Sequence, residues 1–203
     1  MVRGAVRRLQ RDAAEARLIR ALYSPRQLQE VLVDFWFNHF NVSRTSNQAR
    51  PYILSYERDV IRPNSLGNFR TLLGAPARHP AMLLYLNNAQ SMAAADAPHL
   101  SNFAARQLQG KANSKKPMGL NENYARELME LHTLSVTGGY TETDVKEVAR
   151  CFTGWTVTGQ SANAPVFSFL SSKHDTGAKT VLGQAIPAGR GIEDGDQVLD
   201  ILA

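Results

Sequence analysis

The sequence contains one cysteine, Cys151, and no long hydrophobic run. A single cysteine cannot form an internal disulfide, which excludes a fold held together by disulfide bonds. The longer apolar runs, such as 81–86, are far shorter than the ~20 residues that cross a bilayer, so we predict no membrane span. The amino-terminal segment lacks the apolar core and cleavage site of a secretory signal peptide. As written, the chain is therefore expected to be cytoplasmic.

Several catalytic signatures are also missing. The sequence has no H-E-x-x-H zinc helix, no G-x-S-x-G elbow and no glycine loop of the phosphate-binding type. The run 127–132 (E-L-M-E-L-H) lacks the Glu-x-x-His spacing of di-iron bundles. With 203 residues and 43% hydrophobic content, the chain is long enough to bury one sizeable core. Local motifs therefore predict a globular protein without naming an enzyme class.

The positive charge is confined to one end of the chain. The formal net charge is +5, and residues 1–26 hold seven arginines against two acidic residues, so this segment accounts for all of the excess. Its apolar spacing predicts an amphipathic helix with an arginine-rich, solvated outer face, in which either Ile19 or Arg20 faces inward. No helix-turn-helix, zinc-finger or RNA-recognition signature accompanies it, so we predict no nucleic-acid partner. The same face could dock segments that precede this chain.

A helical hairpin is predicted over 119–155. Asn121 is a good N-cap and Gly138-Gly139 ends the pattern, which delimits one helix at 122–136. Thr141 and Asp144 have the spacing of a capping box for a second helix. Cys151 lies off the apolar stripe of that second helix, so we expect a partly buried, unreactive thiol.

Two ionisable residues border the predicted core of the first hairpin helix. A helical wheel gives a buried stripe of Tyr124, Leu128, Leu131 and Ser135, with Glu127 on one flank and His132 on the other. A buried carboxylate needs a partner or its pKa rises. Glu127 is therefore either a paired structural carboxylate or a catalytic or ligand residue. His132 is either a core-edge histidine bonded to the main chain or part of the same site.

A third candidate residue, His39, lies in a helix predicted at about 25–40. Ser24, Pro25 and Gln27 form a clear helix start. The apolar face that is predicted to be buried carries His39 in its middle and consists of Leu28, Val31, Leu32 and Phe35. Two roles stay open for His39: a hydrogen-bonded core histidine, and a ligand or proton-transfer group.

Ordered matches along the chain resemble a known family. They include N-E-N-Y-A-R-E-L-M-E-L-H-T-L from 121, G-G-Y-T-E-T-D-V-K-E-V-A-R-C-F-T-G-W from 138, F-W-F-N-H-F-N-V from 35 and K-H-D-T-G-A-K-T-V-L-G from 173. Together they are similar to the bacterial family called domain of unknown function 1800. The resemblance implies a mainly helical bacterial protein of unestablished activity, often exported to the periplasm or outside the cell. Members tend to be about twice as long, so we expect this chain to be a fragment.

The remaining segments are less regular. Residues 89–118 are polar and glycine-bearing and predict a long surface connection. A small β-hairpin is predicted over roughly 165–186. Its turn carries the motif K-H-D-T-G-A-K at 173–179, which we interpret as polar turn chemistry, because adjacent His174 and Asp175 point to opposite sides of an extended strand.

The sequence thus predicts a mainly α fold, a bundle of about seven helices with a small β-hairpin appendage. We expect a helical core at 1–155 and, at 156–203, the hairpin with the start of a further helix. Two functions stay open: a helical scaffold or binding module of an exported system, and a hydrolase-type enzyme with an acid/base or metal-assisted site on Glu127, His132 and His39. The sequence leaves the cofactor, metal, substrate and partners unknown.

Overall fold

The structure, a computed structural model, describes residues 2–98, 119–159 and 165–203. The chain forms two compact units, Met1–Tyr85 and Leu86–Ala203. From residue 99 onward, the connection predicted at 89–118 lies outside the described residues. The predicted boundary at 155 marks a change from helix to strand in the sequence, and as a domain boundary it stays a prediction.

The first unit is helical. Its main helices are α1 (Val2–Tyr23), α2 (Gln27–His39), α5 (Phe69–Arg78) and α6 (Pro80–Tyr85). Between α2 and α5 runs a series of short segments: a 3₁₀ turn (Arg50–Tyr52), α3 (Ile53–Ser55), a π-helix (Tyr56–Ile61) and α4 (Arg62–Asn64). The core contains Val33, Phe37, Phe40, Tyr56, Ile61, Leu72 and Leu83, and the Tyr56 hydroxyl donates to the Phe40 carbonyl at 2.8 Å.

Ion pairs fasten the helices of the first unit to one another. Arg62 on α4 donates a hydrogen bond from each of its two terminal nitrogens to the Glu30 carboxylate on α2, each at 2.9 Å. Arg20 on α1 donates to Glu57 in the π-helix at 3.1 Å. These side chains are partly buried, with 11–36% of their surface exposed, so the pairs are screened less than pairs in open water. Of the two alternatives for α1, Arg20 is therefore the inward residue, and Ile19 is exposed.

The apolar face of α2 was expected to be buried, and that prediction is wrong. The buried residues of α2 are Val33 and Phe37, on the opposite side of the helix, whereas Leu28, Val31 and Phe35 are exposed. The helix has apolar side chains on two faces, and the wheel alone could not rank them. The helix itself is confirmed within a few residues of its predicted ends.

The second unit combines helices with two small sheets. In chain order it contains a 3₁₀ turn (Asn88–Gln90), α7 (Asn123–Glu130), α8 (Glu142–Cys151), β1 (Trp155–Thr158), β2 (Val166–Phe169), a 3₁₀ turn (Ser171–Lys173), β3 (Lys179–Val181), β4 (Gln184–Ile186) and α9 (Glu193–Leu202). Strand β1 pairs antiparallel with β2, and β3 pairs antiparallel with β4. The mainly α class with a small β part is confirmed, although the β part consists of two sheets.

Trp155 is the centre of the second unit's core. Its ring is fully buried and packs edge-to-face on Phe152, with centroids 4.9 Å apart, and Phe152 packs in the same way on Tyr124. Helix α9 approaches the tryptophan ring at Gly195, where an added Cβ would come within 2.5 Å of the indole. Any larger residue at 195 would push α9 away from this aromatic cluster.

Helix α7 is shorter than the predicted 122–136. It ends at Glu130 because the following amides bond five residues back: His132 N donates to Glu127 O at 3.0 Å, and Leu134 N to Met129 O at 2.8 Å. Ser135 then has φ 68°, which turns the chain. As a result, Leu131 and Ser135, which were predicted to be buried, are exposed.

The capping box of α8 is confirmed. Thr141 Oγ1 accepts from Asp144 N at 3.2 Å, and Asp144 Oδ2 accepts from Thr141 N at 2.9 Å. The other carboxylate oxygen of Asp144 accepts from Leu182 N, so the same residue also fixes the turn between β3 and β4. The box therefore sets both the start of α8 and the position of a strand turn.

We predict that Thr141→Ala lowers the free energy of unfolding by about 1 kcal/mol, because it leaves an amide of the first helical turn without its acceptor. Thermal or denaturant unfolding followed by circular dichroism measures the change. Thr137→Ala removes an exposed threonine from the preceding turn and should change stability by less than about 0.5 kcal/mol. Equal effects of the two substitutions would contradict a stabilising role for the box.

Candidate functional site

Glu127 lies on α7 and is half-buried. Burial raises the pKa of its carboxyl, and the neighbouring charge of Glu130 raises it further, while Arg126 acts in the opposite direction. Arg126 is itself held by Glu142, to which it donates two hydrogen bonds of 2.7 Å. Within the described parts of the chain, the Glu127 carboxylate has no hydrogen-bond or ion-pair partner. It is therefore a carboxylate whose ionised form is disfavoured in the folded protein.

His132 follows α7 and is 5% exposed. Its amide donates to the Glu127 carbonyl at 3.0 Å, which places the two residues one turn apart on the same widened helix end. Burial of this imidazole agrees with the expectation that it borders the core.

His39 is the last residue of α2 and is half-buried among aromatic rings. Its ring lies 4.6 Å from Phe40 and 5.5 Å from Trp36, centroid to centroid. His39 belongs to the first compact unit, whereas Glu127 and His132 belong to the second. A site that unites all three stays a prediction.

A second cluster of ionisable residues, which the sequence reasoning missed, lies inside the second unit. We call it the buried polar cluster, and its members are Arg150, His174, Asp175, Lys179 and Asp194. His174 and Asp194 are 0% exposed, and Asp175 and Lys179 are 2% and 3% exposed. Burial of this much charge requires close partners, because an isolated ion would lose its hydration.

Lys179 is the most completely bonded member of the buried polar cluster. Its Nζ donates to Asp194 Oδ2 at 2.7 Å and to the main-chain carbonyls of Asp175 and Gly177 at 2.6 and 2.9 Å. These three acceptors match the three N–H bonds of an ammonium group. The lysine therefore joins β3, the preceding turn and α9.

His174 bridges two other segments. Its Nδ1 lies 2.9 Å from the Thr153 carbonyl oxygen and its Nε2 lies 3.3 Å from Asp194 Oδ2. Burial alone would raise the pKa of Asp194, but the hydrogen bonds from His174 and Lys179 outweigh it and hold that pKa below its ordinary value. Asp194 is therefore an ionised carboxylate fixed by its partners.

Asp175 is fixed in a similar way by Arg150 of α8. Arg150 Nε donates to Asp175 Oδ2 at 2.7 Å, and the same guanidinium bonds both Glu147 oxygens at 2.8 Å. Although burial acts to raise it, the pKa of Asp175 lies below its ordinary value because of the bond from Arg150 and an amide bond from Gly177. These charged groups bond to one another, which is typical of a structural cluster.

The signal for this cluster was the motif at 173–179. On an extended strand His174 and Asp175 would point to opposite sides. Here the 3₁₀ turn at Ser171–Lys173 precedes them, the His174 ring is hydrogen-bonded to the Thr153 carbonyl, and the Asp175 amide donates to the Thr153 hydroxyl. The interpretation as polar turn chemistry did not anticipate that His174, Asp175 and Lys179 are buried. The main partner, Asp194, is 20 residues away in the sequence.

Three further findings concern the thiol, metal ligands and membrane-spanning helices. Cys151 is fully buried and burial raises the pKa of its thiol to about 12, so it is an unreactive thiol, as predicted, but more deeply placed than expected. Among the residues in the described ranges, no group of three His, Cys, Asp or Glu side chains is arranged to hold a metal ion. None of the described helices is both long and apolar enough to cross a membrane.

The fold and these residues define a mainly helical protein whose second unit is built around closed, buried ion pairs. A family model described as a protein of unknown function (DUF1800) matches residues 2–203. The chain belongs to this family, which confirms the resemblance seen in the sequence. No curated protein and no solved structure matches the chain.

We predict that Lys179→Met lowers the free energy of unfolding by about 3–5 kcal/mol, because it leaves the buried Asp194 carboxylate without its main cation. Denaturant unfolding at pH 7 measures the loss. Lys146→Met, an exposed lysine on α8, is the matched control and should change stability by less than about 0.5 kcal/mol. If both variants unfold like the original protein, the cluster does not stabilise the unit.

Proposed function

We propose that this protein is a helical scaffold or binding module of an exported bacterial system, and that the surface of α1 and α2 in the first unit makes the contact. The observation that supports it is the exposure of large apolar side chains on both helices. On α1 they are Leu18, Ile19, Leu22 and Tyr23, and on α2 they are Leu28, Val31 and Phe35. We call these seven residues the apolar face.

The apolar face consists of large side chains that are well exposed. Its members are between 54% and 78% exposed. Single exposed leucines are common on proteins, whereas here seven large exposed apolar residues occur within 18 positions of the sequence. Contiguous apolar patches above a few hundred Å² mark interaction sites in soluble proteins.

Ion pairs and aromatic packing connect the helices that carry this face to the rest of the first unit. The pairs Arg20–Glu57 and Arg62–Glu30 connect α1, α2, α4 and the π-helix through partly buried groups. Aromatic packing of Trp36 on Phe69, with centroids 6.0 Å apart, connects α2 to α5. A binding surface on a rigid helical framework loses little conformational entropy when its partner arrives.

Site-specific photo-crosslinking in the native cells tests the proposal. A benzophenone side chain at position 35 or 31 is expected to give a discrete covalent adduct, since both side chains are exposed at the proposed contact. The control places the same group at Val136, an exposed apolar residue of the second unit. Absence of adducts at 31 and 35, or equal adducts at 136, would contradict a contact through the apolar face.

A second candidate function, a hydrolase-type enzyme, is favoured by one observation on Glu127. This half-buried carboxylate lacks a partner among the described residues and has a raised pKa, which is the state that general acid/base catalysis uses. In this candidate Glu127 is the base or a metal ligand, and His132 and His39 are ligands or proton donors.

We predict that Glu127→Gln leaves the protein at least as stable as the original at pH 7. The folded protein binds the Glu127 proton more readily than the unfolded chain does, so the ionised carboxylate lowers stability above its raised pKa. As the pH falls below the ordinary value of 4.5, the two proteins should converge in stability. Urea unfolding across pH 3–8 measures both effects, and Glu130→Gln on the same helix is the matched control.

The same variant separates the two roles of Glu127. With the fold retained, loss of bound metal by elemental analysis or loss of hydrolytic activity supports a site. Loss of stability at pH 7 would instead identify Glu127 as a structural carboxylate and remove it from the enzyme hypothesis.

A further inference from the structure

The ring of His174 lies between two hydrogen-bond acceptors. The residue is 0% exposed, and each of its ring nitrogens faces an oxygen atom of another segment. Nδ1 lies 2.9 Å from the Thr153 carbonyl oxygen, and Nε2 lies 3.3 Å from Asp194 Oδ2. A neutral imidazole carries a proton on one nitrogen, whereas the imidazolium ion carries a proton on both. The protonation state of His174 therefore follows from what these two partners can donate or accept.

The contact with Thr153 requires a proton on Nδ1. A carbonyl oxygen can only accept, so this contact is a hydrogen bond only when Nδ1 donates. The Thr153 hydroxyl oxygen also lies 3.1 Å from Nδ1, but it donates its own proton to the Arg150 carbonyl at 2.6 Å. Both oxygens of Thr153 therefore act as acceptors towards the ring.

The contact with Asp194 requires a proton on Nε2. Burial acts to raise the pKa of Asp194, but the hydrogen bonds from His174 and Lys179 hold it below its ordinary value, so this side chain is an ionised carboxylate. An ionised carboxylate can only accept. A ring without a proton on Nε2 would place a nitrogen lone pair against Asp194 Oδ2 at 3.3 Å.

The charges around His174 oppose a cation there, and the hydrogen bonds favour one. Strand β2 adds only the uncharged Phe169 ring, and the nearby Cys151 thiol stays neutral because burial raises its pKa to about 12. Either neutral form of the ring leaves one buried nitrogen against an acceptor, whereas the imidazolium satisfies both contacts, one of them charge-assisted. The charged side chains in these segments form three pairs of opposite sign: Arg150 with Glu147 and Asp175, and Lys179 and Arg190 with Asp194.

We propose that His174 is an imidazolium ion in the folded protein and that it joins α9 to the segment between α8 and β1 in a pH-dependent way. Nδ1–H bonds Thr153, and Nε2–H bonds Asp194 in the first turn of α9. Because the bond to Asp194 exists only in the folded protein, folding favours the protonated ring. The stability that this bond provides is therefore present at acidic pH and is lost as the pH rises and the ring loses its proton. This inference concerns the second unit and is independent of the contact proposed for the first.

Nitrogen-15 NMR of the histidine rings at pH 7 tests the protonation state, because a histidine in water is mostly uncharged at this pH. His174 is expected to carry protons on both ring nitrogens. His79 is a control within the same molecule: its Nδ1 accepts from the Ala81 amide at 3.1 Å, and burial lowers the pKa of its imidazole to about 4. His79 should therefore carry a proton on Nε2 only. An unprotonated nitrogen in the His174 ring at pH 7 overturns the inference.

Urea unfolding at pH 6 and pH 9 tests the dependence on pH. His174→Gln keeps an N–H donor but cannot carry the charge. The folding equilibrium constant of the original protein, divided by that of this variant, should fall at least about 10-fold from pH 6 to pH 9, because a charge-assisted hydrogen bond is lost. His79→Gln removes a histidine that is uncharged at both pH values, so the corresponding ratio should stay constant. A constant ratio for His174→Gln contradicts pH-dependent docking of α9.

Hydrogen exchange of the original protein gives the same test if His174→Gln does not fold. Protection of the α9 amides, corrected for the intrinsic exchange rate at each pH, should decrease from pH 6 to pH 9. Protection of the α5 amides in the first unit should not. Equal protection of α9 at the two pH values overturns the inference.

Discussion

The arrangement of the second unit depends on one buried carboxylate. Asp194 stands in the first turn of α9 and is fully buried, so its charge must be compensated by groups that other segments supply. Lys179 comes from β3 and His174 from the turn before it, and Arg190 approaches the second oxygen at 3.2 Å from the loop before α9. Because these partners come from different places in the chain, the compensation exists only when all these segments have assembled. The carboxylate therefore selects one arrangement of turn, strand and helix, and excludes partial ones.

Glu127 is the opposite case, and the contrast distinguishes structural carboxylates from candidate functional ones. The partners of Asp194 and Asp175 lower their pKa values despite burial, so ionisation of these groups stabilises the fold. Glu127 has a raised pKa, because its burial is not offset by a bonded cation. Its ionised form costs stability, and a group that costs stability in the folded protein is a better candidate for chemistry or ligand binding than one that the fold requires.

Local chemistry in the sequence was enough to predict helices α2, α7 and α8 and the start of α8, whereas α2 begins after Arg26 rather than Ser24 and α7 after Glu122 rather than Asn121. The Thr141–Asp144 capping box and the glycine turn at 138–139 depend on neighbouring residues only, and they occur as predicted. The end of α7 was missed because no glycine marks it. Instead, the Thr133 hydroxyl donates to the Leu128 carbonyl at 2.8 Å, and the helix widens there. The buried polar cluster was missed for a different reason. Its bonds connect residues about 20 positions apart, and no pattern within one element indicates which ions meet.

The wrong prediction of which face of α2 is buried is itself informative. A helix in a small unit usually has one apolar stripe, because the other side faces water. Helix α2 has Val33 and Phe37 in the core and a second stripe, Leu28, Val31 and Phe35, in solvent. A helix that is apolar on both sides is typical of an element between two packing partners, and the first unit itself supplies one of them. The periodicity therefore identified an apolar stripe, although this stripe is not buried in the first unit. Its exposure indicates where a further surface is expected to pack.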